Sequence, residues 1–504
     1  MEINSKKRIS INIISTILQV IVVGIVYLFL YRFLLNSLGI EKLGVWSIIL
    51  ATSSIANLGN FGITSGLVKF IADYNAKEKL KDIPSLIFTA LISITVLFLL
   101  IIVIIYFFGK VILSYVVEPK YFSLALEILP YSLLCLFLNA VGGIFISTLE
   151  GFQKNYIKNF LFSFSAILLL FSSYYLLPIY QLKGVAIAQV LQSLIILLGS
   201  LWFVIKAVPF TIFNKKNWDN KIFKELISYG TKFQVISIFQ ILYEPITKGL
   251  ISKFGGLALL GYYEMAARLV NQVRALIVNA NQVMVPVVAH TNSTNKEKLR
   301  ELYNKSMSLI FFINVLLISF LLIFTPIISV LWIGFLEPTF IFSMIILSAT
   351  MFVNILIGPA YFSCVGEGKL NLILKSQILI GVLNLILGLV LGYFFSGKGV
   401  IVSWAISVSI SSFYLFYSYQ KQNNIPLTNL ITKYNVILFS IATTMVLLSL
   451  FFFKDIECFF KNSWLVAALY MFVTIIIFIP FLFKNNDIIK LKETFFKKEN
   501  NGIN

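Results

Sequence analysis

Charge is what this 504-residue chain has least of: Asp, Glu, Lys and Arg make up 12% of it, where soluble domains carry about 25%. Acids are the scarcer half, 21 against 40 bases, for a formal net charge of +19. Histidine occurs once, as His290, at a helix end where a solvated loop residue is the plain reading and a proton carrier the sharper one. The three cysteines, Cys135, Cys364 and Cys458, have no CxxC spacing, so neither a disulfide framework nor a metal cluster is expected. There is no HExxH helix, no GxxxxGK[ST] phosphate loop ("SGKGV" at 396–400 is too short), and no histidine besides His290 to activate a Ser or Cys nucleophile. These gaps point away from ATP hydrolysis, metalloenzyme chemistry and any bound cofactor. Any transport would have to draw on an ion gradient, the membrane potential or a downstream sink.

What is there is apolar sequence. Hydrophobic residues make up 59% of the chain, and its mean hydropathy is +0.93. Runs of about 20 apolar residues, each able to cross about 30 Å of hydrocarbon, recur from end to end and leave no room for a soluble domain. The expected fold is an all-α polytopic membrane protein with about fourteen transmembrane helices. The spans fall at 9–35, 45–70, 84–108, 122–149, 157–177, 184–206, 226–250, 258–287, 303–324, 339–363, 371–395, 399–420, 434–453 and 463–483. "SKKRIS" followed by a long apolar run is a first span rather than a signal peptide, because no small-residue cleavage site follows.

Loop charges set the topology. Alternate loops hold Lys6/Lys7/Arg8, Lys77/Lys79/Lys81, Lys154/Lys158, Lys215/Lys216/Lys221/Lys224, Lys296/Lys298/Arg300, Lys369/Lys375, Lys421/Lys433 and the Lys-rich tail from Lys484. The intervening loops hold scattered bases such as Lys42, Lys120, Lys183 and Lys398. Positive loops stay inside, which predicts a cytoplasmic-membrane protein with both termini cytoplasmic. In a soluble protein such a positive charge would suggest nucleic acid; here it reads as a topology signal and attraction to anionic membrane lipids. Deleting 258–287 as a span would reverse the bias halfway along the chain, so this charged segment is expected to be a true membrane helix.

The chain also echoes itself. "LGIEKLGVWS" (38–47) pairs with "GGLALLGYYE" (255–264), "KEKL" (77–80) with 296–299, "LEGFQK" (149–154) with "GEGKLN" (366–371), and "LKGV" (182–185) with "GKGV" (397–400). The offsets cluster near about 217. Two parallel six-helix repeats are expected around a central cleft, with residues 1–210 as the N-terminal half, 211–425 as the C-terminal half, and 426–504 as two added helices and a cytoplasmic tail. Parallel repeats of this kind are a transporter architecture.

Intramembrane polar groups are concentrated on four spans. At 100° per residue, Glu264, Arg268, Asn271, Asn279 and Gln282 fall within about 80° of one another on the eighth span, flanked by Arg274. On the seventh, Ser237, Gln240, Glu244 and Lys248 share a face beside Pro245, and Glu244–Lys248 repeats the i, i+4 spacing of Glu264–Arg268. Milder faces occur on the first two spans, with Asn12, Ser15 and Gln19, then Ser53, Asn57, Asn60 and Thr64. A charge facing lipid costs about 2.5–3.5 kcal/mol, so these faces should turn to a hydrated interior. Two readings stay open for the charged pairs: substrate-binding groups, or neutralised struts holding helices together. Arg274 has no acidic partner three or four residues away and is the sharper candidate for an anion, since its planar fork suits diphosphate. The amides of Asn57, Asn60, Gln240, Asn279 and Gln282 would suit sugar hydroxyls or bridge helices.

With these residues in view, "NSLGIEKLGVWSIILATSSIANLGNFGITSG", "STLEGFQKNYIKN", "KFGGLALLGYYEMAARLVNQVRALIVNANQVMVPV" and "CVGEGKLN" resemble the Wzx-type polysaccharide biosynthesis flippases. Their superfamily also holds MATE multidrug exporters and the lipid II flippase. The resemblance implies translocation of an undecaprenyl-diphosphate-linked oligosaccharide by alternating access, a cationic cavity to which Arg268 and Arg274 correspond, and a polysaccharide polymerase as a partner. The first helix lacks the intramembrane acid or base that some relatives use, so the resemblance names no coupling ion. The alternative within the superfamily is a MATE-type ion-coupled multidrug or metabolite exporter. A membrane scaffold without transport would leave the aligned polar faces unexplained.

Overall fold

The computed structural model describes residues 5–54, 63–208, 217–282, 296–426 and 433–451, with residues 214, 288 and 476 besides. Thirteen α-helices and one 3-10 turn account for the described elements, with no strand among them. In chain order they are α1 (Ser5–Leu38), α2 (Ile40–Ser54), α3 (Ile63–Ala76), α4 (Ile83–Val116), α5 (Pro119–Gly151), α6 (Asn155–Ala207) and α7 (Asn220–Gln282). They continue with α8 (Lys296–Ile323), α9 (Thr325–Ile333), α10 (Pro338–Leu356), α11 (Gly358–Gly366), α12 (Leu370–Gln422) and α13 (Lys433–Phe451). Of the expected spans, 463–483 apart from residue 476, like His290 and Cys458, lies outside the described residues.

Three of these helices are each two arms folded at a sharp reversal. Non-helical backbone interrupts α6 at Gln181 (φ 51°), α7 at Gly256 (φ 78°) and α12 at Phe395–Ser396 (φ 59° at Ser396). The reversal in α7 follows from one distance. Lys248 and Glu264 are sixteen residues apart, about 24 Å along a straight helix, yet their side chains are 2.8 Å apart. Glycine is needed at Gly256 because its positive φ is costly for any residue with a Cβ. The arms of these helices correspond to the expected spans five to eight, eleven and twelve. Seven described segments are long and apolar enough to cross a membrane, two of them the 53-residue α6 and α12. The second arm of α7, which carries Glu264, Arg268 and Arg274, is not in that apolar set, and its place in the fold rests on packing instead.

The structure adds one short helix and divides one expected span. The ninth span ends at Ile323 and is followed by a short helix, α9, opening on Thr325–Pro326. The tenth breaks at Ile357 into α10 and α11, where Pro359 sits in the first turn of the new helix. Proline donates no backbone hydrogen bond and its ring clashes with the preceding turn, so the run 339–363, which reads as one span, divides at Ile357.

Packing divides the chain into two compact units, residues Met1–Leu269 with Gln377–Ser407, and residues Val270–Ser376 with Val408–Asn504. In the first, α3, α4, α5 and α6 share a core around Ile71, Ile87, Phe98, Leu136 and Ile144. In the second, α8 packs on α13 through Phe312, Val315, Leu438 and Ala442.

Candidate functional site

The first unit holds a charged cluster in otherwise apolar surroundings. Two glycines bring its helices together. A Cβ on Gly44 of α2 would overlap the Leu257 carbonyl group, 2.8 Å from its carbon, and a Cβ on Gly261 would lie 2.5 Å from the Ile40 oxygen. Residues 40 and 257, and residues 44 and 261, are each 217 apart, so the contact is reciprocal. Each segment presents to the other what the other presents to it, as across a two-fold axis. With α2 and the second arm of α7 so close, small residues let polar side chains meet inside the bilayer.

Glu264 lies at the centre, 2% exposed. Its Oε1 accepts from Tyr31 Oη of α1 (2.9 Å) and from Arg268 Nη2 (3.1 Å). Its Oε2 accepts from Ser47 Oγ of α2 (2.8 Å) and from Lys248 Nζ on the first arm of α7 (2.8 Å). A carboxylate has about four acceptor sites, and all four are in use. Lys248, itself buried, also bonds Glu244 Oε1 at 2.9 Å. Arg268 lies over the Tyr27 ring, 4.6 Å from guanidinium carbon to centroid, and donates to Tyr31 Oη at 3.3 Å. Two acids and two bases cancel, so the cluster is neutral and ties α1, α2 and both arms of α7. Only the Glu244 and Arg268 side chains reach its edge, at 48% and 28% exposure. The Arg268 Nε–H is buried without a partner in the described structure.

The repeat extends through the cluster. Ser47 is 217 residues before Glu264, Tyr31 is 217 before Lys248, and Tyr27 is 217 before Glu244. One equivalent pair, Ser47 and Glu264, meets directly, and neutral residues of the first repeat stand where the second carries charges. Sequence reading passed over Tyr27, Tyr31 and Ser47. The 217-residue offset is the signal that pairs each of them with a charged position.

Arg274 lies in the second unit. Its Nε donates to Asn354 Oδ1 of α10 at 3.3 Å, and Asn354 Nδ2 donates to Ser412 Oγ of α12 at 3.2 Å. Among the described residues Arg274 makes no ion pair, so a neutral amide positions its charge without cancelling it. The milder polar face of α1 is taken up by packing on α6. Asn12 bonds the backbone at Gln153 and Tyr156, and Asn159 donates to Ser15 and Thr16. Asn57 and Asn60 fall outside the described residues, as do the side chains of Gln240, Asn279 and Gln282.

Comparisons place this geometry among known proteins. A family model described as polysaccharide biosynthesis protein matches residues 6–292, more than half of the chain. No curated protein matches. Among solved structures, an inward-facing multidrug resistance MATE family transporter of the MOP superfamily aligns with a TM-score of 0.70 at 14% identity, over 80% of this chain and 94% of that one. The lipid II flippase MurJ in an inward closed conformation aligns at 0.64 and 17%, over 88% and 98%. A MOP superfamily transporter from Pyrococcus furiosus aligns at 0.60 and 14%, over 83% and 96%. At these identities the likeness is one of fold.

Proposed function

The chain belongs to the polysaccharide biosynthesis protein family, and from that premise we propose that it is a flippase for a polyprenyl-diphosphate-linked oligosaccharide. It works in the cytoplasmic membrane with both termini inside, the repeats 1–210 and 211–425 forming two halves and 426–504 appended to them. The charge of Arg274 carries the reading. An intramembrane guanidinium held by Asn354, with no ion pair among the described residues, is costly unless an anion is to arrive there. Arg268 offers a second guanidinium with a buried, unpartnered Nε–H. Arginine forks match phosphate oxygens two at a time.

In the proposed cycle the diphosphate meets these arginines while the prenyl chain stays in lipid. The amides along the same spans take the sugar hydroxyls, and the halves alternate between inward and outward openings. Lys248 and Glu264, buried and mutually bonded, serve as the frame; Glu244 and Arg268 are its approachable edge. A polysaccharide polymerase would accept the product on the outer face.

Complementation tests the reading. Arg274→Ala, expressed in a bacterium lacking its own flippase, should lose surface polysaccharide at unchanged membrane abundance. Full retention would remove the cationic site. The alternative, a MATE-type ion-coupled exporter, needs an acid free to bind a cation. The buried acid of the described cluster has all its acceptor sites occupied, which disfavours that reading. Ion-driven efflux of a cationic dye from vesicles would restore it.

A further inference from the structure

A second polar site lies in the second unit, apart from the charged cluster. A cavity of about 550 Å³ opens between the start of α8, the turn after α11 and the end of α12. That volume lies within the ~300–1,000 Å³ of small-molecule sites. Its floor is the Glu367 carboxylate, 2% exposed, which accepts from Tyr419 Oη at 2.6 Å and pairs with Lys369 Nζ at 2.5 Å. Lys369 also donates to Asn423 Oδ1 at 3.1 Å. Arg300, Gln422 and Asn424 stand exposed at the rim. Arg300 makes no ion pair among the described residues.

The lining of this cavity differs in character from the corresponding corner of the first repeat. Glu150 is the counterpart of Glu367, 217 residues earlier, and it is also paired, with Lys158 at 2.5 Å. However, the counterpart of Lys369 is Phe152, packed against the apolar core of its own unit. At this corner the first repeat carries an aromatic ring against its core where the second carries a lysine facing the cavity.

The lining carries Glu297 and Glu367 against Arg300 and Lys369, a net charge of zero, so it has no particular pull on a phosphate. Donors and acceptors alternate around it instead. Each sugar hydroxyl is a donor and an acceptor at once, and amides beside a carboxylate and a guanidinium meet both needs. We propose that this cavity binds a sugar residue of the translocated glycan at the cytoplasmic mouth, a loading subsite separate from the intramembrane arginines. The proposal rests on the flippase reading for its choice of ligand.

Saturation-transfer NMR on the full-length protein in lipid nanodiscs tests it. The probes are millimolar glucose, galactose, N-acetylglucosamine, glucuronic acid and the disaccharide N,N′-diacetylchitobiose, with inorganic phosphate as competitor. At least one sugar should show transfer, persisting in Arg274→Ala. Arg300→Ala and Gln422→Ala are both exposed rim changes. Binding should weaken about tenfold in Arg300→Ala, as for loss of one charge-assisted bond, and about threefold in Gln422→Ala, as for loss of one neutral bond. Transfer from none of the five, transfer equal in wild type and rim variants, or displacement by phosphate alone would overturn the proposal. The two readings separate cleanly. Complementation that fails for Arg274→Ala while no sugar binds leaves the flippase without this subsite. Sugar binding lost in the rim variants, in a chain whose Arg274→Ala form exports normally, leaves the subsite and removes the flippase site.

Discussion

Replacing Glu264 by glutamine removes a charge and exchanges one acceptor oxygen for an NH2 group. All four partners of Glu264 are donors: Tyr31 and Arg268 on one oxygen, Ser47 and Lys248 on the other. Whichever way the amide turns, its NH2 faces a hydroxyl and a cation that also donate. Two bonds to the carboxylate are lost, one of them from a charged donor in either orientation. At about 1.5 kcal/mol for each bond involving a charged group, the cost is about 3 kcal/mol. That is the low end of the ~3–5 kcal/mol for breaking a buried ion pair. The low end applies because Lys248 keeps Glu244 at 2.9 Å. The assay is the thermal or SDS unfolding midpoint of the purified full-length protein, which should fall clearly for Glu264→Gln. Adding Lys248→Met to Glu264→Gln removes a buried cation whose remaining partner, Glu244, is half-exposed and can be solvated, and should recover at least about 1 kcal/mol. A single variant that melts with wild type, or a double variant that melts lower than the single, would refute the account of Glu264 as the saturated centre.

Further outcomes follow from the same contacts. Gly44→Val and Gly261→Val drive side chains into Leu257 and Ile40, and each should cost about 1–3 kcal/mol, read as a lower unfolding midpoint and reduced membrane abundance. Tyr31→Phe leaves Arg268 and Glu264 each one bond short, a loss of about 3 kcal/mol at ~1.5 for each bond to a charged group; Ser47→Ala, with one such bond, should cost about half as much, and the two should not add, since both act on one carboxylate. Arg268→Lys keeps the charge but gives up the planar stacking on Tyr27, so complementation should drop although expression holds. Asn354→Ala frees the Arg274 guanidinium from its 3.3 Å bond and should weaken surface polysaccharide production with little change in melting.

The sequence by itself determined the membrane class, the approximate spans, the repeat offset and the helix face on which Glu264 and Arg268 lie. Each of these is local or periodic. Span length follows from apolar runs, and the face follows from 100° per residue. The pairs Glu244–Lys248 and Glu264–Arg268 were legible for the same reason, since i, i+4 neighbours meet on any helix, and the structure keeps both. One break is not legible there, at Gly358–Pro359 inside the 339–363 run, because hydropathy passes smoothly through a proline that the backbone cannot.

Only the tertiary structure decided what Glu264 meets from outside its own helix. Tyr31 and Ser47 lie 233 and 217 residues away in the chain. They reach it because Gly44 and Gly261 let two backbones approach within a side chain's width, and because the turn at Gly256 folds Lys248 back onto it. The same packing separates two arginines that look alike in sequence. Arg268 is drawn into a neutral cluster, while Arg274, six residues on, is held by an amide and keeps its charge. Periodicity shows which side chains point the same way; which of them are cancelled depends on what packs against them, and one chain read in order does not contain that.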